Sequence, residues 1–326
     1  MCMTRRTILA GLFSVAVLPW AVQAESAFAG KRIQILVGFA PGGSTDILAR
    51  TIAEAMGPDL QANVIVVNKP GANGNIAAAE VARAAPDGLT LYMGSFNNPV
   101  NHAAKRKLPF DFLKDFASVA TVGYLPNVLV VNKALQANSV AELIELAKQR
   151  SKSLAFGSSG AGSSQHMAGE LFKYQAKVDL VHVPYNGSPA AMNDVIGGHI
   201  DLLFDNIPTA AVQAKAGTVK ALAVTGNKRA PQLPDIPTVA ETPGLEAFDV
   251  TSFFALYAPA STPPQLVSAL NASVNKALQQ EKTRTSMMDK GIEPGGGSPE
   301  QLRALVEGEV AKWAEVIQAS GIKFED

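Results

Sequence analysis

Short apolar runs recur along the chain and alternate with stretches whose apolar residues fall at helical spacing. Several runs are apolar at consecutive positions, which is typical of strands buried on both faces of a sheet. We predict strands at IQILVGF (33–39), VIVVN (64–68), LTLYMGS (89–95), NVLVVN (127–132), LAFGSS (154–159), LVHVPY (180–185), IDLLFDN (200–206) and VKALAVTG (219–226). This alternation predicts an α/β fold with parallel sheets covered by helices.

The C-terminal helix has a well-marked start and end. Ser298, Pro299 and Gln301 are typical of a helix N-terminus, and Gly321 is typical of a helix end. Apolar residues between them form one stripe that includes Trp313. We interpret this stripe as core, and we expect Trp313 to lie away from any binding cleft.

The first 24 residues have the pattern of an export signal. Two arginines precede an uncharged, mostly apolar run from Ile8 to Val22, and a small-residue cleavage pattern ends at Ala24. A membrane anchor is the alternative, but the run has roughly 15 residues where about 20 are needed to span a bilayer, and Pro19 interrupts it. We predict a signal peptide (residues 1–24) cleaved near Ala24, by either the general or the twin-arginine export route.

Length and composition indicate a soluble exported protein with two domains. The chain has 326 residues, and its 28 basic and 28 acidic residues leave no electrostatic footprint for nucleic acid. Cys2, the single cysteine, leaves with the signal peptide, so the mature chain has no thiol for a disulfide or for catalysis. No other long apolar run follows. We therefore predict that the protein resides in the periplasm.

Two segments repeat the order strand, Gly/Ser-rich loop, helix. They are ILVGFAPGGSTDILARTIAEAM and LAFGSSGAGSSQHMAGELFKY, about 120 residues apart. Each places free backbone amides at a helix N-terminus, where the helix dipole favours an anion. We predict that the two loops face one cleft and hold a carboxylate; the alternative is that both are only tight strand-to-helix turns.

Asp46 in the first loop has two interpretations. A carboxylate near a helix N-terminus interacts well with the dipole, so Asp46 can be a structural cap. It can also receive a hydrogen-bond donor of the ligand. Arg50, one turn further on, is expected to face solvent or to form a structural pair.

Other site chemistry has little support in the sequence. No G-x-x-x-x-G-K-[ST] or helix-opening G-x-G-x-x-G motif is present, so no nucleotide cofactor is predicted. The four histidines lie 16 or more residues apart, which does not fit a metal site. A G-x-S-x-G elbow is absent. A serine hydrolase that uses Ser163 and His166 stays as an alternative hypothesis.

The chain resembles the Bug-type extracytoplasmic solute receptors of the tripartite tricarboxylate transporter family over nearly all of its mature length. The motifs that carry the resemblance are APGGSTDILAR, VVNKPGANGNIAA, APDGLTLYMGS, FGSSGAGSSQHMAGELF, VHVPYNGSPAAMNDVIGGHIDLLFDN, VKALAVTGNKRAPQLPDIPTVAE and APASTPPQLVSALN. Phe253 and Ala255 stand where relatives often carry Trp-x-Gly, so the identity of the ligand is not taken from any relative.

The resemblance implies a two-lobed periplasmic binding (Venus flytrap) fold, each lobe a mixed, mainly parallel sheet flanked by helices, with two hinge crossings. We assign residues 25–125 and 253–326 to lobe 1 and residues 126–252 to lobe 2. The implied function is capture of a small carboxylate by a monomer, without chemistry or cofactor. Its implied partner is a membrane transporter with two subunits, and a sensory receptor is the alternative.

The family pattern also implies which residues bind the ligand. They are Pro41, Gly42, Gly43, Ser44, Thr45 and Asp46 in the first loop; Ser158, Ser159, Ala161, Gly162, Ser163 and Ser164 in the second; Pro184, Tyr185 and Gly187 in the VPYNG turn; Asp205 in LLFDN; and Ser95 and Asn97 after the third strand.

Overall fold

The computed structural model describes residues 27–149, 153–322 and 324, so the predicted signal peptide lies outside the described residues. The strands are β1 Arg32–Val37, β2 Asn63–Asn68, β3 Thr90–Ser95, β4 Phe116–Asn132, β5 Leu154–Ser158, β6 Leu180–Pro184, β7 Leu202–Asn206, β8 Val219–Val224, β9 Thr251–Pro259 and β10 Glu293–Gly296. All eight predicted strands are confirmed. The sequence pattern missed β9, β10 and the first part of β4.

Helices follow most of the strands. They are α1 Ser44–Leu60, α2 Asn75–Ala82, α3 Asn97–Ala103, α4 Val140–Gln149, α5 Ser164–Ala176, α6 Ser188–Gly197, α7 Ile207–Lys215, α8 Pro264–Gln279, α9 Glu281–Asp289 and α10 Pro299–Ser320, with short 3-10 turns at Ala72–Gly74 and Val239–Glu241. The predicted start of α10 is confirmed, because Ser298 and Gln301 form a reciprocal capping box. No helix in these described ranges is both long and apolar enough to cross a membrane.

The strands form one mixed sheet with the order β2-β1-β3-β9-β4-β7-β5-β6, and β8 and β10 also pair with β4. The pairs β1–β2, β1–β3, β5–β6 and β5–β7 are parallel. The pairs that involve β4 or β9 are antiparallel. The predicted α/β fold with a mixed sheet is confirmed, although antiparallel pairs take a larger share than "mainly parallel" implied, because β4 and β9 run against their neighbours.

Strand β4 belongs to both halves of this sheet. Its residues 116–126 pair with β9, and its residues 127–131 pair with β7. The change of partner falls at Asn127, whose N–H donates to Thr225 Oγ1 at 2.8 Å. We call the half with β1, β2, β3, β9 and β10 the first lobe, and the half with β5 to β8 the second.

Candidate functional site

A narrow cavity lies where the carboxyl ends of several strands meet. The empty space between its walls, including its opening to solvent, is about 420 Å³. The lining residues are Phe39, Ala40, Gly43, Ser44, Thr45, Ser95, Phe96, Asn97, Ser159, Ser163, Ser164, Gly187, Ser188, Asn206, Ser252 and Phe254. The wall thus combines hydroxyls, amides and three phenylalanines, and among the described residues no lysine, arginine or histidine lines it.

Five helices begin at this cavity. The lining residues at their N-termini are Gly43 and Ser44 for α1, Phe96 and Asn97 for α3, Ser163 and Ser164 for α5, Gly187 and Ser188 for α6, and Asn206 for α7. A helix N-terminus carries partial positive charge and leaves its first N–H groups without intrahelical partners. Backbone dipoles therefore make the cavity favourable for an anion without any cationic side chain.

The first loop, residues 38–43 between β1 and α1, is held closed by Asp46. Its carboxylate accepts hydrogen bonds from Gly42 N–H at 3.0 Å, from Asn68 Nδ2 at 2.9 Å and from Arg50 Nε at 2.9 Å. Burial acts to raise the pKa of Asp46, but these hydrogen bonds outweigh it and the net shift is downward. The structural interpretation of Asp46 is favoured, since its oxygens are occupied and it does not line the cavity.

The first loop offers free donors to the cavity. Within the described residues, no hydrogen bond uses the N–H groups of Gly43, Ser44 and Thr45, and the first helical bond runs from Ile47 N–H to Gly43 O. The hydroxyl of Ser44 is buried and has no partner in the same part of the chain. A second unpartnered hydroxyl, Ser252 Oγ, also belongs to the cavity wall. Buried polar groups are usually hydrogen-bonded, so these groups in the cavity wall are suited to bind a polar ligand.

The second loop, residues 159–163 between β5 and α5, uses most of its own N–H groups. Ser159 N–H donates to Gln165 Oε1 at 2.5 Å, and Gly160 N–H donates to Ser158 Oγ at 3.0 Å. Gly162 N–H donates to His166 Nδ1 at 3.2 Å. The two loops are therefore not equivalent: the second contributes hydroxyls and the first-turn N–H groups of α5, while the first contributes the N–H groups of Gly43 and of the first turn of α1.

Ser163 and His166 do not pair through their side chains. Ser163 Oγ accepts from the His166 backbone N–H at 3.2 Å and so caps α5. The Ser–His contact that the sequence missed is Ser158 Oγ to His182 Nε2, at 2.6 Å. Burial lowers the pKa of His182 to about 4, so the ring that contacts the Ser158 hydroxyl is neutral at pH 7. The pair organises the second loop, and Ser158 is fully buried outside the cavity wall.

Asp205 lies behind the cavity wall. Its carboxylate accepts from Gln165 Nε2 at 2.9 Å and from Thr209 Oγ1. Gln165 Nε2 also contacts Ser188 Oγ, a lining residue, at 2.5 Å. Asp205 is inaccessible to solvent, and burial raises its pKa to about 6. It positions Gln165 and Ser188 from behind.

The structure brings half of the predicted ligand-binding residues to the cavity. Those that line it are Gly43, Ser44, Thr45, Ser95, Asn97, Ser159, Ser163, Ser164 and Gly187, and those that do not are Pro41, Gly42, Asp46, Ser158, Ala161, Gly162, Pro184, Tyr185 and Asp205. Tyr185 instead donates its hydroxyl to Asp194 Oδ2 at 2.6 Å. Lining residues that the prediction omitted include Ser188, Asn206 and Ser252. For Asn206 the available signal was a polar residue at the carboxyl end of a strand.

The expectation that Trp313 lies away from the cleft is wrong. Its ring packs edge-on against Phe96, with centroids 5.0 Å apart, and Phe96 lines the cavity. Helix α10 therefore supports the cavity wall from behind. The stripe pattern could show that Trp313 is buried but not which helix it contacts.

This architecture, two lobes with a polar cavity at their strand ends, is the fold of the periplasmic binding proteins. The structure of periplasmic binding protein BugD superposes with a TM-score of 0.87 at 32% identity, covering 91% of this chain and 100% of BugD. The chain matches the model of the "Tripartite tricarboxylate transporter family receptor" over residues 48–322, and it belongs to that family. The predicted family and fold are thus confirmed.

Two similar structures contain ligands. Rpa4515 of R. palustris, solved with adipate, has a TM-score of 0.86 at 36% identity, covering 90% of this chain and 99% of its own. MatC (Rpa3494) of Rhodopseudomonas palustris, with bound malate, has a TM-score of 0.84 at 33% identity, covering 88% of this chain and 99% of its own. Both ligands are carboxylic acids.

Proposed function

We propose that this protein is a receptor that captures a small organic acid anion between its two lobes and leaves it unchanged. The observation that carries the proposal is the convergence of five helix N-termini on one cavity, with the Ser44 and Ser252 hydroxyls unpartnered in its wall. Family membership and the adipate and malate of the similar structures support the same ligand class.

Within the proposed site, the first loop holds a carboxylate of the ligand. The N–H groups of Gly43, Ser44 and Thr45 are unused within the described residues, and charge-assisted hydrogen bonds to backbone amides contribute about 1.5–3 kcal/mol each. The second loop supplies hydroxyls and the first-turn N–H groups of α5. Phe39, Phe96 and Phe254 limit the space for the carbon chain of the ligand.

The proposed lobes are residues 25–125 with 253–326, and residues 126–252. The change of strand partner along β4, at residues 126 and 127, supports this boundary. Two crossings make a short hinge, so closure is a rotation of nearly rigid lobes. A ligand that contacts both lobes binds the closed form better and shifts the population towards it.

We further propose that the receptor is exported to the periplasm by cleavage near Ala24, acts as a monomer, and delivers its ligand to a two-subunit membrane transporter. Support comes from the signal-like first residues and from the family description. Uptake of radiolabelled ligand by cells that lack this gene would fall if the role is transport. If uptake is unchanged and transcription in response to the ligand is lost, the protein is a sensory receptor.

Calorimetry of the mature protein with adipate and malate, followed by a panel of mono- and dicarboxylates, tests ligand capture. We expect at least one acid to bind, and binding by none of them would refute the proposal.

Substitutions at Ser44 then locate the site. Ser44→Pro removes the first N–H of α1 and suits the backbone, because proline is favoured at this helix position and the preceding residue, Gly43, is extended (φ −79°, ψ 168°). We expect a loss of about 10-fold or more in affinity, beyond that of the matched control Ser44→Ala. Equal affinities of the two variants would place the carboxylate elsewhere.

A further inference from the structure

Asn73 connects the two lobes at the rim of the cavity. It lies in the 3-10 turn Ala72–Gly74 of the first lobe, and its Nδ2 donates to the carbonyl of Ala161 in the second loop at 2.5 Å. Arg106 Nη1 reaches the same carbonyl at 3.4 Å. Ala161 O is thus the acceptor through which the first lobe grips the second loop.

The turn is built to aim this side chain. Ala72 and Asn73 both have left-handed backbone angles, with φ of 47° and 52°. Such a conformation is uncommon for residues other than glycine, and asparagine tolerates it better than most. The turn thus points an amide group across the cleft at a cost in backbone strain.

Two glycines of the second loop allow the close approach. A Cβ at Gly160 would lie 3.2 Å from Asn73 Cβ, and a Cβ at Gly162 would lie 2.8 Å from Asn101 Oδ1. Both glycines have positive φ, 120° and 88°. The backbone around Ala161 can therefore reach the first lobe only because it lacks side chains on either side.

The same residue is tied to the cavity. Asn97, which lines the cavity and is 1% exposed, donates its Nδ2 to the backbone carbonyl of Asn73 at 2.7 Å. Asn97 Oδ1 in turn accepts from Ser95 Oγ at 2.5 Å. The cross-lobe contact is one hydrogen bond away from the cavity wall.

The contact at Asn73 is only weakly favourable by itself. Asn73 Oδ1 is buried and has no hydrogen-bond partner in the described part of the chain. Closure therefore gains one hydrogen bond at Ala161 O while it removes Oδ1 from water. The hydrogen bond outweighs this cost by a small margin, so the contact shifts the open–closed equilibrium by only a few-fold, and contacts with the ligand supply the rest of the free energy of closure.

We propose that Asn73 is a positioning residue that holds the second loop on the first lobe in the closed form and thereby slows escape of the ligand. This inference rests on the proposed function. Asn73 touches the other lobe, not the ligand, so its removal acts on the open–closed equilibrium. Apparent affinity scales with the fraction of closed protein. The loss of affinity on removing the Asn73 side chain must then appear as faster release of the ligand, by the same factor for every ligand.

Asn73→Gly tests the inference, because glycine keeps the positive φ and removes the amide. The matched control is Gln61→Gly: Gln61 also has a positive φ, 51°, and lies at the exposed end of α1. Asn73→Ala separates the amide from added backbone freedom, since the neighbouring Ala72 adopts a similar φ of 47°. Stopped-flow kinetics and calorimetry with adipate and malate give rates and affinities.

For Asn73→Gly and Asn73→Ala we expect dissociation about 3- to 10-fold faster, with association within about twofold of wild type. The control is expected to release ligand as wild type does. Unchanged release in both Asn73 variants, or a change of different size for the two acids, would refute the proposed role of Asn73 while leaving ligand capture intact. If wild type binds no carboxylate, the proposed function fails and the proposed role of Asn73 fails with it.

Discussion

Asp205 offers a test of how the cavity wall is held, because its charge is buried. The perturbation is Asp205→Asn, which keeps the shape of the side chain and removes its titration. In the native protein, burial raises the pKa of this carboxyl to about 6. The ordinary value in an unfolded chain is about 3.9. The folded protein therefore prefers protonated Asp205, and stability from this group is lost as the pH rises towards 6.

The size of the effect follows from linkage. A folded pKa of about 6 against an unfolded value of about 3.9 corresponds to about 3 kcal/mol in total. The contribution is fully present below pH 3.9 and is gone above about pH 7. Between pH 4.5 and pH 8, where the measurement is practical, the wild-type protein loses about 2 kcal/mol from this group.

Urea unfolding of wild type and Asp205→Asn at both pH values measures the change. Other carboxyl groups titrate alike in the two proteins, so the difference between them isolates Asp205. We expect the free energy of unfolding of the variant, relative to wild type, to rise by about 2 kcal/mol from pH 4.5 to pH 8. A difference that stays constant, or falls with pH, would show that Asp205 is not a buried, proton-binding carboxyl. That result would refute its placement behind the wall.

Three further predictions concern the parts around the cavity. Asp46→Asn should lower the free energy of unfolding by about 1–3 kcal/mol, because a carboxylate with several charged or backbone donors is lost; urea unfolding measures this, and a loss of adipate affinity without destabilisation would instead assign Asp46 to the ligand. Gly38→Ala should lower the free energy of unfolding by at least about 1–3 kcal/mol, since a Cβ at Gly38 would lie 2.3 Å from the backbone Cα of Gly74. Gly308→Ala is the control: nothing lies within 4 Å of its Cβ, so a gain of about 0.5–1 kcal/mol is expected. Trp313 emission should change on adipate binding, because its ring contacts a lining residue; a flat titration with calorimetrically confirmed binding would contradict the contact.

Much of the architecture was readable from local patterns. The apolar triplets Ile35–Val37 and Leu202–Phe204 lie in β1 and β7 and are buried, as expected for strands that are covered on both faces. The strand β10, Glu293–Gly296, has glycines and a proline where a strand signal needs apolar side chains, and only its pairing with β4 creates it. Long-range pairing of this kind leaves no local signal.

The candidate site divides in the same way. The two Gly/Ser-rich loops could be predicted from the sequence, because free amides at a helix start follow from local geometry alone. Which amides stay free depends on tertiary contacts. In the second loop, three N–H groups donate hydrogen bonds to the side chains of Ser158, Gln165 and His166. These partners depend on how β5 and α5 pack.

The sequence alone thus determined the α/β class, the family and the two loops. Short-range patterns predict the class and the loops, and the order of the motifs predicts the family. The tertiary structure decided that Asp46 and Asp205 brace the wall, that Ser163 caps a helix, and that Asn73 reaches the other lobe. The physical reason is that a hydrogen bond needs its partner within about 3 Å. Residues 88 positions apart, such as Asn73 and Ala161, meet at that distance only after both lobes have folded.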